Sequence, residues 1–108
     1  MIRVFALEFV NICRYLEKSG CRKKAGAFYV EQEQLRQYLD KNKYAPVKRK
    51  LEVWKALKWL ITDSGHMTKR VYIGAKKYQR IYVIDMTVYQ VMQHLIDNEG
   101  TGNVGGHI

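Results

Sequence analysis

Lys48, Arg49, Glu52 and Lys55 stand at steps of three and four residues. Lys69, Arg70, Lys76, Lys77, Tyr78, Gln79 and Arg80 follow in a stretch rich in β-branched and aromatic residues. Helical spacing brings Lys48, Glu52 and Lys55 onto one face, with Arg49 beside them. Cations in such a strip can hold phosphate oxygens or the acceptor edge of guanine, and a lone carboxylate among them can accept from a cytosine amino group. The second group mixes cations, a phenol and an amide, which suits a narrow groove of enhanced negative potential. Each group has a plainer reading too. Glu52 can pair along the helix with Lys48 or Lys55, and lysines can simply keep an exposed hairpin soluble.

Charge is concentrated on the segment that holds both groups. The 108 residues carry 19 Lys and Arg against 10 acids, a net charge of +9 and a pI of about 9.7. Residues 1–40 balance at +2, residues 41–84 at +10 and residues 85–108 at −3. An excess this localised implies a polyanionic partner or strong electrostatic steering. Lys48, Arg49 and Lys50 also fall in the first turn of a predicted helix, where the macrodipole disfavours cations by about 0.3–1 kcal/mol each. The preceding helix puts Glu31 and Glu33 at that position instead. Cations at a helix start make sense if an anion docks there.

Several chemistries find no support. His66, His94 and His107 belong to different segments, and no Cys and His stand at zinc spacing. There is no glycine-rich phosphate loop or nucleophile–base motif, and the acids are too scattered for a two-metal nuclease. The chain is therefore read as a binding protein rather than an enzyme, with no cofactor, metal or small-molecule ligand implied. No apolar run approaches the roughly 20 residues of a membrane span. The N-terminal MIRVFALEFVNICRYL is broken by charge and lacks a small-residue cleavage site, which argues against a signal peptide. The expectation is a cytoplasmic protein without a membrane partner. Cys13 lies on the inner stripe of the first helix, so a buried free thiol is expected rather than a disulfide with Cys21.

The elements that must position these residues follow from periodicity. Ile2, Phe5, Ala6, Phe9, Ile12, Cys13 and Leu16 give a helix over 2–18, with Gly20 as its stop. Leu7 and Val10 lie off that stripe, available to a partner subunit or to the C-terminal segment. The Cys21–Gly26 loop, with Arg22, Lys23 and Lys24, is a solvated turn or a phosphate contact. Phe28-Tyr29-Val30 predicts a short strand, and Glu31–Asp40 a second helix. A third helix is expected from Pro46 to Thr62, with Val47, Leu51, Trp54, Leu57 and Ile61 inside and Trp59 on the polar face, over the hairpin base or against a partner. His66–Ile73 and Arg80–Met86 predict strands around a long Gly74–Gln79 loop. The apolar run RIYVID should pack on both faces. Thr87 and Gln90 have capping-box spacing for a last helix striped by Val88, Val91, Met92, Leu95 and Ile96. Residues 1–98 make one domain, and the glycine-rich 99–108 a flexible tail.

The order helix, strand, helix, turn, helix, hairpin, helix resembles the winged helix-turn-helix family. The similarity covers about residues 2–86, most closely LRQYLDKNKYAPVKRKLEVWKALKWL and the hairpin KRVYIGAKKYQRIYVID. It implies an α+β fold with a three-helix core, a short strand, a β-hairpin wing and an additional C-terminal helix. Pro46–Thr62 would then be the recognition helix and Gly74–Gln79 the wing tip, with the helix start facing a major groove and the wing the adjacent minor groove or backbone. The expected function is sequence-specific binding of double-stranded DNA as a homodimer, through the last helix and the Leu7/Val10 side of the first. Two roles share that biochemistry, transcription regulation and accessory work at a plasmid transfer or replication origin. For the second, the short chain resembles small winged-helix accessory proteins of Gram-positive conjugative plasmids (the TcpK type). A winged-helix protein-interaction module and an RNA-binding module remain the alternatives.

Overall fold

The inner stripe of the first helix sets where the other elements pack. In the computed structural model, which describes the backbone of residues 2–105 and the side chains of residues 2–98, α1 spans Ile2–Lys18. Its Phe5, Phe9, Ile12, Cys13 and Leu16 are buried, while Ile2 is exposed. The helix stops as expected: Gly20 takes a left-handed φ of 76°, and the Cys21 amide donates to the Leu16 carbonyl at 3.0 Å. Cys13 and Cys21 are free thiols, and burial pushes the Cys13 thiol well above its ordinary range. Val10 is buried within its own chain and has no face left for a partner, whereas Leu7 is half-buried.

The fold is α+β, with four helices and a four-stranded antiparallel sheet in the order β1-β2-β4-β3 among the described residues. Residues 21–26 are not simply a loop: β1 (Lys23–Lys24) and β2 (Ala27–Val30) form a small hairpin through Ala25-Gly26. Helix α2 (Gln32–Asp40) buries Leu35 and Leu39. Strands β3 (Lys69–Gly74) and β4 (Lys77–Asp85) form the main hairpin, and β2 pairs with the C-terminal half of β4. Ile81, Tyr82, Val83 and Ile84 are all buried, as the RIYVID run required. Tyr82 and Ile84 enter the main core with Phe9, Phe28 and Trp54, while Ile81 and Val83 join Ala27 and Val71 in a second cluster.

Two expectations about the central segment are corrected. Helix α3 covers Val47–Ala56, so it ends six residues before Thr62. Its end is a left-handed cap built without glycine. Lys58 has φ of 61°, its amide donates to the Lys55 carbonyl, and the Trp59 amide donates to the Trp54 carbonyl at 2.8 Å. The turn breaks the helical phase. Leu57, expected inside, is 41% exposed, and Trp59, expected on the polar face, is buried 4.9 Å from the Phe9 ring. Residues 59–61 then run along β4: Leu60 bridges Ile84, and the Ile61 amide donates to the Val83 carbonyl at 2.8 Å.

The second correction concerns the hairpin loop. The connection is the two residues Ala75 and Lys76, with φ of 50° and 58°, a type I′ geometry matched to strand twist. Lys77, Tyr78 and Gln79 therefore lie in β4, not in a loop, and extend the strand expected from Arg80. The register slips between Tyr72 and Gly74, so Gly74 (φ 98°) marks a bulge just before the turn.

Helix α4 (Met86–Gly105) is capped by Asp85, whose carboxylate accepts the Thr87 amide at 2.9 Å, in place of the expected Thr87–Gln90 box. It packs on α1 through Tyr89, whose hydroxyl donates to Glu17, and through an Arg14–Asp97 ion pair at 2.7 Å. Val91 and Leu95 face solvent. Helical backbone continues to Gly105, and the side chains of the expected tail, 99–108, lie outside the described residues. Among the described residues no helix is long and apolar enough to cross a membrane.

Candidate nucleic-acid interface

The start of α3 presents fewer cations than its sequence implies. Lys48 and Arg49 are exposed, but Lys50 is wholly buried. Its ammonium donates to Glu8 Oε2 at 3.0 Å and to the carbonyls of Leu39 and Asn42, and it lies 4.2 Å from the centre of the Tyr44 ring. Glu8 is buried as well and accepts from Asn42 Nδ2 at 3.1 Å and from the Tyr44 hydroxyl at 2.6 Å. Burial, then the Glu8 carboxylate, holds the Tyr44 phenol above its ordinary range. All three donor positions of Lys50 are used, so the pair staples α1 to the α2–α3 turn and to α3. Sequence reasoning placed Lys50 on the basic surface. Helical arithmetic held the missed signal: position 50 lies three residues after Val47 and four before Trp54, both on the inner stripe.

Glu52 and Lys55 are half-buried. Neither Lys48 nor Lys55 comes within ion-pair distance of Glu52, so the helix-pairing reading of Glu52 finds no geometry here. No side chain caps the first turn of α3, which follows Pro46. Its first amide donors thus lack a side-chain acceptor, and the exposed Lys48 and Arg49 belong to the same turn.

The hairpin divides its candidates between two faces. Arg70 pairs with Arg80 and Tyr72 with Tyr78, and strand alternation puts these four on the side of Tyr82, toward the helices. Lys69, which pairs with Ile81, and Gln79, which pairs with Val71, belong to the opposite side. Gln79 there lines a depression with Tyr29, Val71, Ile73 and Ile81. The expected single tip is thus a two-faced ribbon, with Lys76 in its turn and Lys77 next to it.

Arg80 is committed within the fold. Its guanidinium donates to Asp63 Oδ2 at 2.9 Å and to Thr68 Oγ1 at 3.0 Å, bracing the hairpin base. The same Asp63 oxygen accepts the Arg70 amide at 2.9 Å. That amide first, and Arg80 after it, hold the Asp63 carboxyl below its ordinary value. The Arg70 side chain instead lies over the Tyr78 ring, 4.3 Å from its centre.

Between α3 and the hairpin lies a cleft of about 560 Å³ lined by Gln32, Arg36, Val47, Lys48, Leu51, Met67, Thr68 and Tyr82. Arg36 was absent from the sequence-level candidates. Its Nε donates to the Tyr82 hydroxyl at 3.2 Å, which fixes it beside Lys48 in this cleft. A cation on α2 meets a tyrosine of β4 only through the tertiary fold, and nothing in the local pattern announces it. Arg22 lines the same depression as Gln79. Lys23 and Lys24 lie elsewhere: Lys24 pairs with Ala27 and Ala27 with Asp85, so Lys24 is eight strand positions from Lys77, about 25 Å along the sheet. Among the described residues, no group of three or more His, Cys, Asp or Glu gathers where a metal ion could be held. Comparison of the sequence with protein-family models and with curated proteins finds no match.

Proposed function

We propose that this chain is a winged helix-turn-helix protein that binds double-stranded DNA. In this reading the start of α3 faces the major groove, and the β3–β4 hairpin is a wing lying on the adjacent minor groove or backbone. One observation carries it. Lys48, Arg49, Lys69, Arg70, Lys76 and Lys77 have no acid partner among the described residues, whereas Lys50 and Arg80 do. A cation without an internal partner gives up no ion pair in the fold when it binds phosphate, and releases counterions from the DNA. The strand order and the hairpin after α3 support the same assignment. Arg49 and Glu52 are the residues proposed to discriminate bases, and Lys48, Lys55 and the hairpin cations those that hold phosphates. Arg80 acts here by holding the wing at its root.

We assign the active form as a homodimer, since two copies can read repeated half-sites. Exposed Val91 and Leu95 on α4 support that assignment, and Val10 plays no part in it. Sedimentation should show a dimer that Leu95→Arg converts to monomer. Selection from a random duplex library tests the sequence-reading claim. It should return a motif, with preference altered by Arg49→Ala or Glu52→Ala; a library that enriches nothing removes sequence specificity from the proposal.

A further inference from the structure

Phosphate binding needs cations, yet the helix-facing side of the hairpin also holds two large aromatic rings in solvent. Tyr72 is 54% exposed and Tyr78 55%. They meet edge to face, with ring centres 5.4 Å apart and planes at 70°. Tyr72 is fixed by its hydroxyl, which accepts the Lys76 amide of the turn at 3.3 Å. Arg70 lies over Tyr78, so a planar cation and an aromatic ring form one stack. Alternation sets this stack on the same side of the sheet as the cleft with Arg36 and Lys48.

We propose that the Arg70–Tyr78 stack is a platform for an unpaired DNA base. The proposal rests on the DNA-binding reading above and extends it. Inside a duplex both faces of each base are covered by neighbouring pairs, so a protein ring can stack only on a base that is unpaired or at an end. Rings and guanidinium planes accept any base, because every base has a π face. A duplex seated on the start of α3 would thus place the bases of a single-stranded extension or a melted step over the hairpin, with Lys76 and Lys77 beside their phosphates.

A cross-strand aromatic pair also steadies a hairpin, so the test needs a readout that stability does not move. It compares a blunt duplex with the same duplex bearing a single-stranded extension. The extension carries a fluorescent purine analogue whose emission falls on stacking. The extension should tighten binding about tenfold and quench the analogue, in keeping with one stacked base. Tyr78→Ala should bring the ratio of extended to blunt affinity to about one, while Tyr78→Phe keeps both the ratio and the quenching. Equal affinity for the two DNAs, with emission unchanged, overturns the platform and leaves duplex binding standing. A preference that survives Tyr78→Ala, or is lost in Tyr78→Phe, overturns it too. Failure to bind either DNA overturns the duplex reading itself, and the platform with it.

Discussion

Replacing Lys50 by Ala asks whether this cation belongs to the basic surface or to the core. In the structure it is fully buried and holds Glu8 along with the carbonyls of Leu39 and Asn42. Removing it leaves the Glu8 carboxylate buried, with only Asn42 and Tyr44 as donors. Breaking one side of a buried pair costs about 3–5 kcal/mol. That is a large part of the 5–15 kcal/mol a domain typically has. At roughly 4 °C or more per kcal/mol for a chain of this size, Lys50→Ala should melt at least about 12 °C below the parent. Urea unfolding, monitored by the fluorescence of buried Trp54 and Trp59, should show a lower midpoint at unchanged slope. The double variant Glu8→Leu/Lys50→Met removes both charges and should recover most of the loss. It should also bind duplex DNA like the parent. Lys50→Ala losing less than about 1 kcal/mol, or a folded double variant with markedly weaker DNA binding, would refute the assignment.

The left-handed cap of α3 predicts the opposite sign for Lys58→Gly, which removes a Cβ strained at φ of 61° and should stabilise by about 0.5–1 kcal/mol in urea melts. Asp63 predicts an acid-dependent wing. Its carboxyl is held low in the fold, so its contribution is complete above the unfolded value near 3.9 and is lost as the pH falls through the folded value. Asp63→Asn should therefore be less stable than the parent at pH 6, with the difference closing in acid; a constant difference counts against the Asp63 brace. Lys76→Ala/Lys77→Ala should weaken binding to all duplexes alike and flatten the log–log salt slope by about 2, and unchanged binding would remove the wing from the interface.

Where local chemistry and tertiary packing agreed, the structure was legible in the chain. The stripe from Phe5 to Leu16 and the doubly buried run from Ile81 to Ile84 are examples. Three features were hidden for different physical reasons. The end of α3 carries a lysine where a glycine would have announced a left-handed cap. The hairpin turn uses Ala75-Lys76 where Asn-Gly is the recognisable type I′ signal, and the nearby Gly74 serves a bulge instead. Lys50 sits in a run of three cations that masks its place on the inner stripe between Val47 and Trp54, and its acid partner lies on α1, 42 residues away. The candidate site divided on the same grounds. Lys48, Arg49, Lys76 and Lys77 are exposed as a reading by charge expects, Arg80 is taken by Asp63, and Arg36 enters the cleft through a contact 46 residues away.

Affinity for random-sequence duplex DNA as a function of salt tests the central claim most directly. Five or six phosphates held by Lys48, Lys55, Lys69, Arg70, Lys76 and Lys77 predict measurable binding at low salt and a log–log slope of about −5. No detectable binding at about 50 mM salt, or a slope near zero, would contradict duplex binding by this surface.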